Sequence, residues 1–455
     1  MRMGARVKKI LLSSFVVVLC LTIVMSLFLA GCKTTTTETT ETATTAAETT
    51  AAAETTAKAT TEESKEVTLT LWDWQSDTIH EFWNNVMNEY KKIHPNVSLV
   101  QKAFAYDDFN TSFKAAIAAK EPPDFFQIHP GTQSLEIVSA GQLIDLTDIV
   151  LNDKEWSEWI APTLNLRDAY VNGKLYGIPV FVNNLAVAYW KSLFDEKNLE
   201  FPKTIDELIQ VGEVFKDDNI GIFALGLKDA WTVTDTFVAL VRSADESGDL
   251  IERANKGEAS WEDPIFKKAL EALVDLKDSG IIKENVLEIG LQEAIMAMYN
   301  KEELMVYPFP TGAQYMFTDT SVFPDVGLAP FPALEGGTPI LTGGTGLVYG
   351  MSPLLSEDRQ LIVLDLLKFA CSEIGQEFMF DQVFTPPGNL VKKESEDPIF
   401  NEFTYNQGNL PIGYRYIDNA EINSAVQNGV QRALLGEDIN KILQDIEQIS
   451  QDANK

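Results

Sequence analysis

From Val67 onward the chain alternates two hydrophobic periods. Val67, Leu69 and Leu71 alternate with Thr68 and Thr70, the two-residue period of a half-buried strand. Ile79, Phe82, Trp83, Val86, Met87 and Tyr90 then recur on one helical face, which stops at His94-Pro95. Val97 and Leu99 give a second strand, and Phe109 to Ala119 a second helix. Pro122-Pro123-Asp124 introduces the apolar run Phe125 to Ile128, and Leu135, Ile137 and Val138 suit a further helix that Gly141 can end. Strands separated by helices predict an α/β fold on a parallel sheet.

A second series of the same kind follows the tight-turn pair Asn172-Gly173. Leu185 to Trp190 reads as a strand. Thr204-Ile205-Asp206-Glu207 is a capping box opening a helix with Leu208, Ile209, Val211, Gly212 and Phe215. Pro264 to Ser279 predicts another helix, and Gly336-Gly337 and Gly343-Gly344-Thr345-Gly346 punctuate a later strand region. Ile439, Ile442, Leu443, Ile446 and Ile449 form the last apolar stripe, and no fixed-period repeat is present. Roughly 390 residues from Glu66 onward exceed what one hydrophobic core usually supports, so two lobes are expected.

The first residues change the picture of where the chain works. A basic start, Met1 to Lys9, precedes an apolar run from Ile10 to Ala30, the layout of a secretory signal over residues 1–31. The run is also about the length of a membrane-spanning helix. Leu29-Ala30-Gly31-Cys32 resembles the bacterial lipobox, which implies cleavage before Cys32 and a diacylglyceryl group on its sulfur. Lys33 to Lys65 holds fifteen threonines, eight alanines and six glutamates with no aromatic, so residues 32–65 are expected to form a disordered tether. As a flexible coil it would separate its ends by roughly 30 Å.

The formal charge of −31 argues against nucleic acid as a partner, because phosphate neutralisation drives that binding. Acidity otherwise confers solubility and says little about a ligand. Three cysteines, Cys20, Cys32 and Cys371, provide neither a disulfide framework nor a cysteine-rich metal site. Cys371 is most simply a small buried apolar residue. No metal and no cofactor is expected, and neither a G-x-S-x-G elbow nor an H-E-x-x-H helix is present.

Gly173-Lys174-Leu175-Tyr176-Gly177-Ile178-Pro179 resembles the GKxYGxP segment of family 1 extracellular solute-binding proteins. Val187 to Phe194 is similar to that family's xxYYNKxLF run, with Trp190 and Lys191 in place of Tyr-Asn. Phe201 to Leu208 resembles its xPPxTWDEL run, with Ile205 in place of Trp. Pro123-Asp124-Phe125-Phe126, Val326 to Pro332 and Gly343 to Gly346 add three further resemblances in the family's order. The resemblance implies a two-lobed periplasmic-binding-protein-like fold of the class II type. One lobe would take residues 66–183 plus 346–386, and the other 184–345 plus 387–455. Chain crossings near Val182 to Leu185, Thr342 to Tyr349 and Pro386 to Leu390 would form the hinge. It further implies a monomer, anchored to the cell membrane outside the cytoplasm through Cys32, that carries a carbohydrate to the transmembrane subunits of an ABC importer and is not an enzyme.

A sugar presents apolar ring faces and hydroxyl edges, so its site needs flat aromatics flanked by hydrogen-bonding groups. Open α/β sheets hold ligands at the carboxyl ends of strands. Trp74 and Asp77 occupy such an end, with Trp72 and Trp74 equally suited to be the core tryptophan of the pair. Tyr106 and Asp107 follow the second strand, and His129, Gly131 and Gln133 the third. An isolated histidine such as His129 is more often a structural group. In the second half, Trp231 opens a helix after Ile222 to Leu225, and Phe309 and Pro310 follow another strand. Gly343 and Gly344 would allow close backbone approach. Asn183 lies at the first crossing, and Tyr414, Arg415 and Tyr416 precede a terminal helix, where surface packing explains them equally well.

Two readings of other classes remain at this point. A glycoside hydrolase needs two suitably spaced carboxylates, which 67 acidic residues cannot fail to offer. A surface interaction module on the Thr-rich tether would need an exposed apolar patch. Within binding proteins, a polyamine ligand would suit Asp73, Asp77 and Asp107.

Overall fold

The computed structural model describes residues 65–455, apart from 74–76, 105, 129–131, 165–168, 383, 403–411 and 415. At 77, 78, 106, 107, 110, 132, 133, 315, 412 and 413 it describes the backbone alone. Residues 1–31, Cys32 and all of the expected tether but Lys65 lie outside the described residues.

The sequence periods give β1 (Val67–Asp73), α1 (Asp77–Tyr90), β2 (Val97–Ala103), α2 (Tyr106–Ala119) and β3 (Phe125–Ile128). β1 pairs in parallel with both β2 and β3. The Asn172-Gly173 turn joins two short paired strands, with both residues at positive φ, 52° and 76°. Then comes β4 (Ile178–Trp190), α3 (Ile205–Phe215), β5 (Gly221–Leu225), α4 (Ala230–Ala244), β6 (Glu303–Pro310), β7 (Val326–Ala329) and β8 (Leu341–Met351). The chain closes with β9 (Ile412–Tyr414), α5 (Ala420–Leu434) and α6 (Ile439–Ala453). The Thr204 hydroxyl caps α3, accepting from the Glu207 amide at 3.2 Å.

Among the described residues nine strands form one sheet in the order β2-β1-β3-β8-β4-β6-β5, with β9 beside β8 and β7 beside β4. Its wings are parallel, as the strand–helix alternation predicts. Its centre is not. β8 runs antiparallel to β3 and β4, and β4 runs antiparallel to β6 and β7, so the sheet is mixed.

Three apolar clusters flank this centre: β4 contributes to all three, and β8 to the first and the third. Ile178, Val180 and Phe181 of β4 join Leu347, Val348, Tyr349 and Met351 of β8 in a core with Leu69, Phe82, Trp83 and Phe125. Leu185 and Val187 enter a second core with Phe223, Val233, Phe237, Trp261 and Val430. Strand alternation sends Ala186, Ala188 and Trp190 to the opposite face, against Phe309, Phe317 and Leu341. Between the cores lie Val182 to Asn184 on β4 and Thr342 to Gly346 on β8.

The third passage falls later than Pro386 to Leu390. The Leu390 amide donates to Gln376 Oε1 at 3.2 Å, Gln376 Nε2 donates to the Trp159 carbonyl at 3.1 Å, and Lys393 pairs with Asp381 at 2.6 Å. All of these partners accompany the first core. Asp397, by contrast, accepts from Gln314 at 3.2 Å, and Ile399 packs with Phe309 and Leu341. The chain therefore changes core between Lys393 and Asp397.

Gly346 marks the narrowest point of the β4–β8 pair. A Cβ there would sit 1.9 Å from the Phe181 ring, which packs against Phe384 with centroids 4.8 Å apart. The register shifts between Thr345 and Leu347 beside it. Gly346→Val is expected to lower stability by about 1–3 kcal/mol through overpacking, read from urea unfolding. Phe181→Leu in the same chain should recover a large part of that loss. A Gly346→Val protein as stable as the parent would show that the ring moves aside freely.

Candidate functional site

At the passage between cores, β4 and β8 set two asparagines opposite two glycines: Asn183 faces Gly344 and Asn184 faces Gly343. Three of the sequence candidates, Asn183, Gly343 and Gly344, are thus brought together. Asn184 is fully buried, and among the described residues neither its Oδ1 nor its Nδ2 has a hydrogen-bond partner; Asn183 Oδ1 is likewise unpaired there. Leaving such a group unpaired costs about 1–3 kcal/mol. The Asn184 backbone is held by Thr311, whose amide donates to its carbonyl at 3.0 Å and whose hydroxyl accepts its N–H at 3.2 Å. Pro310, the end of β6, pairs with Leu185 beside them.

The same face of the second core is built by the start of α4. β5 ends at Leu225, the chain turns, and α4 opens at Ala230 with Trp231 41 % exposed. A large ring this open at a helix start is a flat apolar platform. One turn on, the Thr234 hydroxyl donates to Asn423 Oδ1 at 2.8 Å and accepts from Gln427 Nε2 at 2.9 Å, both on α5. Asp235, buried, accepts from the hydroxyls of Tyr307 and Thr342, the latter at 3.1 Å, and those two hydroxyls lie 2.8 Å apart. This triad ties the first turns of α4 to β6 and to the passage strand β8.

β9 completes the edge, with Tyr414 opposite Gly343. The Tyr414 and Tyr416 rings lie 5.5 Å apart, and the Tyr414 hydroxyl donates to Asp418 Oδ1 at 2.6 Å. Arg242 donates through Nε to the Tyr414 carbonyl at 3.2 Å and through Nη2 to Glu252 at 2.7 Å. Burial pushes the Asp418 carboxyl above the usual carboxylate range, against the opposing pull of the Tyr414 hydrogen bond.

The remaining candidates divide. Trp74, His129 and Gly131 lie outside the described residues, and Asp77, Tyr106, Asp107 and Gln133 are described in backbone alone, Asp77 and Tyr106 as first residues of α1 and α2. Trp72 is half-buried, its ring 4.9 Å from Phe104 with the Lys102 ammonium 4.6 Å above it. Phe309 is a correction: it is wholly buried, 5.9 Å from Phe317 in the third apolar cluster, and offers no face to a ligand. β6 continues through it to Pro310, so it is strand core, not loop. Thr234, Asp235, Asn184, Asn423 and Gln427 were not singled out by the sequence. The sole signal was the i, i+3 spacing of Trp231 and Thr234.

Two α/β cores strung on shared strands, with polar groups gathered at the strand ends between them, define a two-lobed binding protein. Residues 76–376 match the model of the family described as bacterial extracellular solute-binding protein, and the chain belongs to that family. Its members are binding proteins that work outside the cytoplasm. The chain is 26% identical to an uncharacterized ABC transporter extracellular-binding protein of Pyrococcus horikoshii, over 47% of this chain and 48% of that one. It thus spans about half the length of that relative. It is also 26% identical to the diacetylchitobiose binding protein of Streptomyces coelicolor, over 67% of this chain and 69% of the relative. Among solved structures, one described as a chitin oligosaccharide binding protein superposes with a TM-score of 0.72 at 24% identity, over 86% of this chain and 99% of that one, and shares the fold.

Asp235→Ala should cost about 2–3 kcal/mol, because it strands two buried hydroxyls, and Tyr307→Phe about 1 kcal/mol; chemical denaturation measures both. The Asp418 carboxyl gives a pH test. Below the ordinary carboxylate pKa of about 4 both states are protonated and the group contributes nothing. As pH rises past that value the unfolded chain ionises first, so folding stability falls until the raised folded pKa is passed. The stability of Asp418→Asn relative to the parent should therefore grow from pH 3 towards neutrality. A difference that stays flat with pH would contradict the raised carboxyl.

Proposed function

We propose that this chain is an extracytoplasmic binding protein, held at the membrane by a lipidated Cys32, that captures a sugar or oligosaccharide between its lobes and delivers it to the transmembrane subunits of an ABC importer. It acts as a monomer and by binding alone, with no chemical step. The family supports the transport role, and the lipobox-like Leu29-Ala30-Gly31-Cys32 supports the anchor. The observation that carries the sugar reading is Trp231, a half-open ring beside neutral hydrogen-bonding groups. The carboxylates nearest to it in sequence are turned elsewhere. Asp229 accepts from the Leu291 amide at 2.7 Å, and Asp235 from Tyr307 and Thr342. A polyamine would need such carboxylates facing it, so a neutral sugar fits this half of the site better. The sugar-binding name of the Streptomyces relative adds weight to the same side.

Two hinged bodies close on a ligand only when it gains contacts in the closed state that it lacks in the open one. Asn183 Oδ1 and both amide atoms of Asn184, at the passage, have no hydrogen-bond partner among the described residues.

A thermal-shift panel of diacetylchitobiose, maltotriose, xylotriose, raffinose and spermidine tests the reading. A sugar present at a hundred times its dissociation constant should add about 2.7 kcal/mol of stability. Trp231→Ala should lose most of that shift while the unliganded protein melts close to the parent, because the ring is 41 % exposed and belongs to none of the three core clusters. An unchanged shift would remove Trp231 from the site. Stabilisation by spermidine and by none of the sugars would replace the reading, as would hydrolysis of any sugar on incubation.

A further inference from the structure

We infer that Thr234 is a positioning residue that fixes the hydrogen-bonding polarity of the site beside Trp231. The inference rests on the sugar-binding reading above and specifies the chemistry of the ligand edge. Thr234 stands apart from the other described hydroxyls of α4. Thr232 donates to the Asp229 carbonyl at 2.7 Å, Thr236 to the Thr232 carbonyl at 2.7 Å, and Ser243 to the Leu240 carbonyl at 2.6 Å. Each of those gives its proton to backbone of its own helix or of the turn just before it, though Ser243 also accepts from the Leu334 amide at 3.1 Å. The Thr234 hydroxyl instead reaches across to α5 and joins two amide side chains there.

A hydroxyl has one proton to give. Because that proton goes to Asn423 Oδ1, Thr234 meets Gln427 as an acceptor, and Gln427 must turn its Nε2 inward. Both amides are thereby coupled in opposite senses through one buried atom, one accepting from it and the other donating to it. Asn423 keeps its two N–H donors for the outside, while Gln427 keeps its carbonyl oxygen and its second N–H. Asn423 and Gln427 are themselves half-buried one helical turn apart, whereas Thr234 is 6 % exposed beneath them. The ligand would thus meet the two amides and not the hydroxyl that sets them. The edge so presented is neutral, with donors at one end and a donor–acceptor pair at the other. That suits the hydroxyl or acetamido edge of an uncharged sugar whose ring lies on Trp231.

An amide is nearly the same shape either way round, so without its fixed partner it can turn over. Thr234→Val keeps the shape of the side chain and removes the relay; Thr234→Ser keeps the hydroxyl. Calorimetric titration of diacetylchitobiose, maltotriose and xylotriose into the parent and both variants reads the consequence. Thr234→Val is expected to bind the parent's preferred sugar about tenfold more weakly, and to discriminate less among the three. Thr234→Ser should restore both affinity and order. Wild-type affinities and order in Thr234→Val would overturn the inference while leaving sugar binding intact. If the parent binds none of the three and raffinose does not bind either, the sugar reading itself falls, and side-chain amide NMR still decides the role of Thr234. Slow water exchange of the Gln427 amide protons in the parent, lost in Thr234→Val and regained in Thr234→Ser, supports the relay. Equal exchange in all three proteins would refute it.

Discussion

The molecule depends on one constraint: two long antiparallel strands must each serve two cores. β4 and β8 pair from Leu185–Thr342 to Ile178–Tyr349 and carry apolar side chains into different clusters at their two ends. The backbone hydrogen bonds of the pair are continuous except at the shift around Leu347, but the side-chain packing is not. Where one core stops and the next has not begun, Asn183, Asn184, Gly343 and Gly344 replace the aliphatic residues on either side. Here the pair changes from one cluster to the next, which suits bending and, on the reading proposed above, a polar guest. The close contact of Gly346 with Phe181 lies beside it, so movement there is bounded by the shape of one ring.

The wings of the fold were legible because each has a simple period. Val67-Thr68-Leu69-Thr70-Leu71 buries alternate residues, and the apolar face of α1 contains Ile79, Phe82, Trp83 and Val86, all of which are core. The centre was not legible for the opposite reason. Along Ile178–Trp190 nearly every residue is buried, so period and direction both vanish from the sequence. An antiparallel centre inside a parallel sheet follows from strand pairings more than a hundred residues apart, which no local pattern encodes. Phe309 was misjudged by the same mechanism. In Tyr307-Pro308-Phe309-Pro310 the prolines read as a loop, yet β6 continues and both its faces are covered.

The candidate site was half legible. A tryptophan just after a strand, opening a helix, is a local signal, and Trp231 stands exposed where that signal places it. The Asn183–Gly344 and Asn184–Gly343 pairs join residues that the sequence offered separately, as a crossing and as a glycine run. What was invisible is the relay from Thr234 to Asn423 and Gln427. Those residues are about 190 positions apart, and each alone is an ordinary polar residue on an amphipathic helix. The link arises solely because α4 and α5 pack side by side over the second core.

The charge of the chain and the neutrality of this half-site belong together. A chain at −31 carries many carboxylates, and any that faced a bound ligand would repel or capture it by charge alone. Three carboxylates around α4 and after β9 are instead bonded within the protein. Asp235 collects two buried hydroxyls, Asp229 a backbone amide and Asp418 a tyrosine hydroxyl. Each bond gives a carboxylate a partner inside the protein and fixes an element: the first turns of α4, the loop before it and the chain after β9. In the site proposed above, recognition would fall to a ring and to oriented amides, groups that read shape and hydrogen-bond direction and respond little to ionic strength. A binding protein built this way keeps an acidic, soluble exterior without letting that acidity choose its cargo.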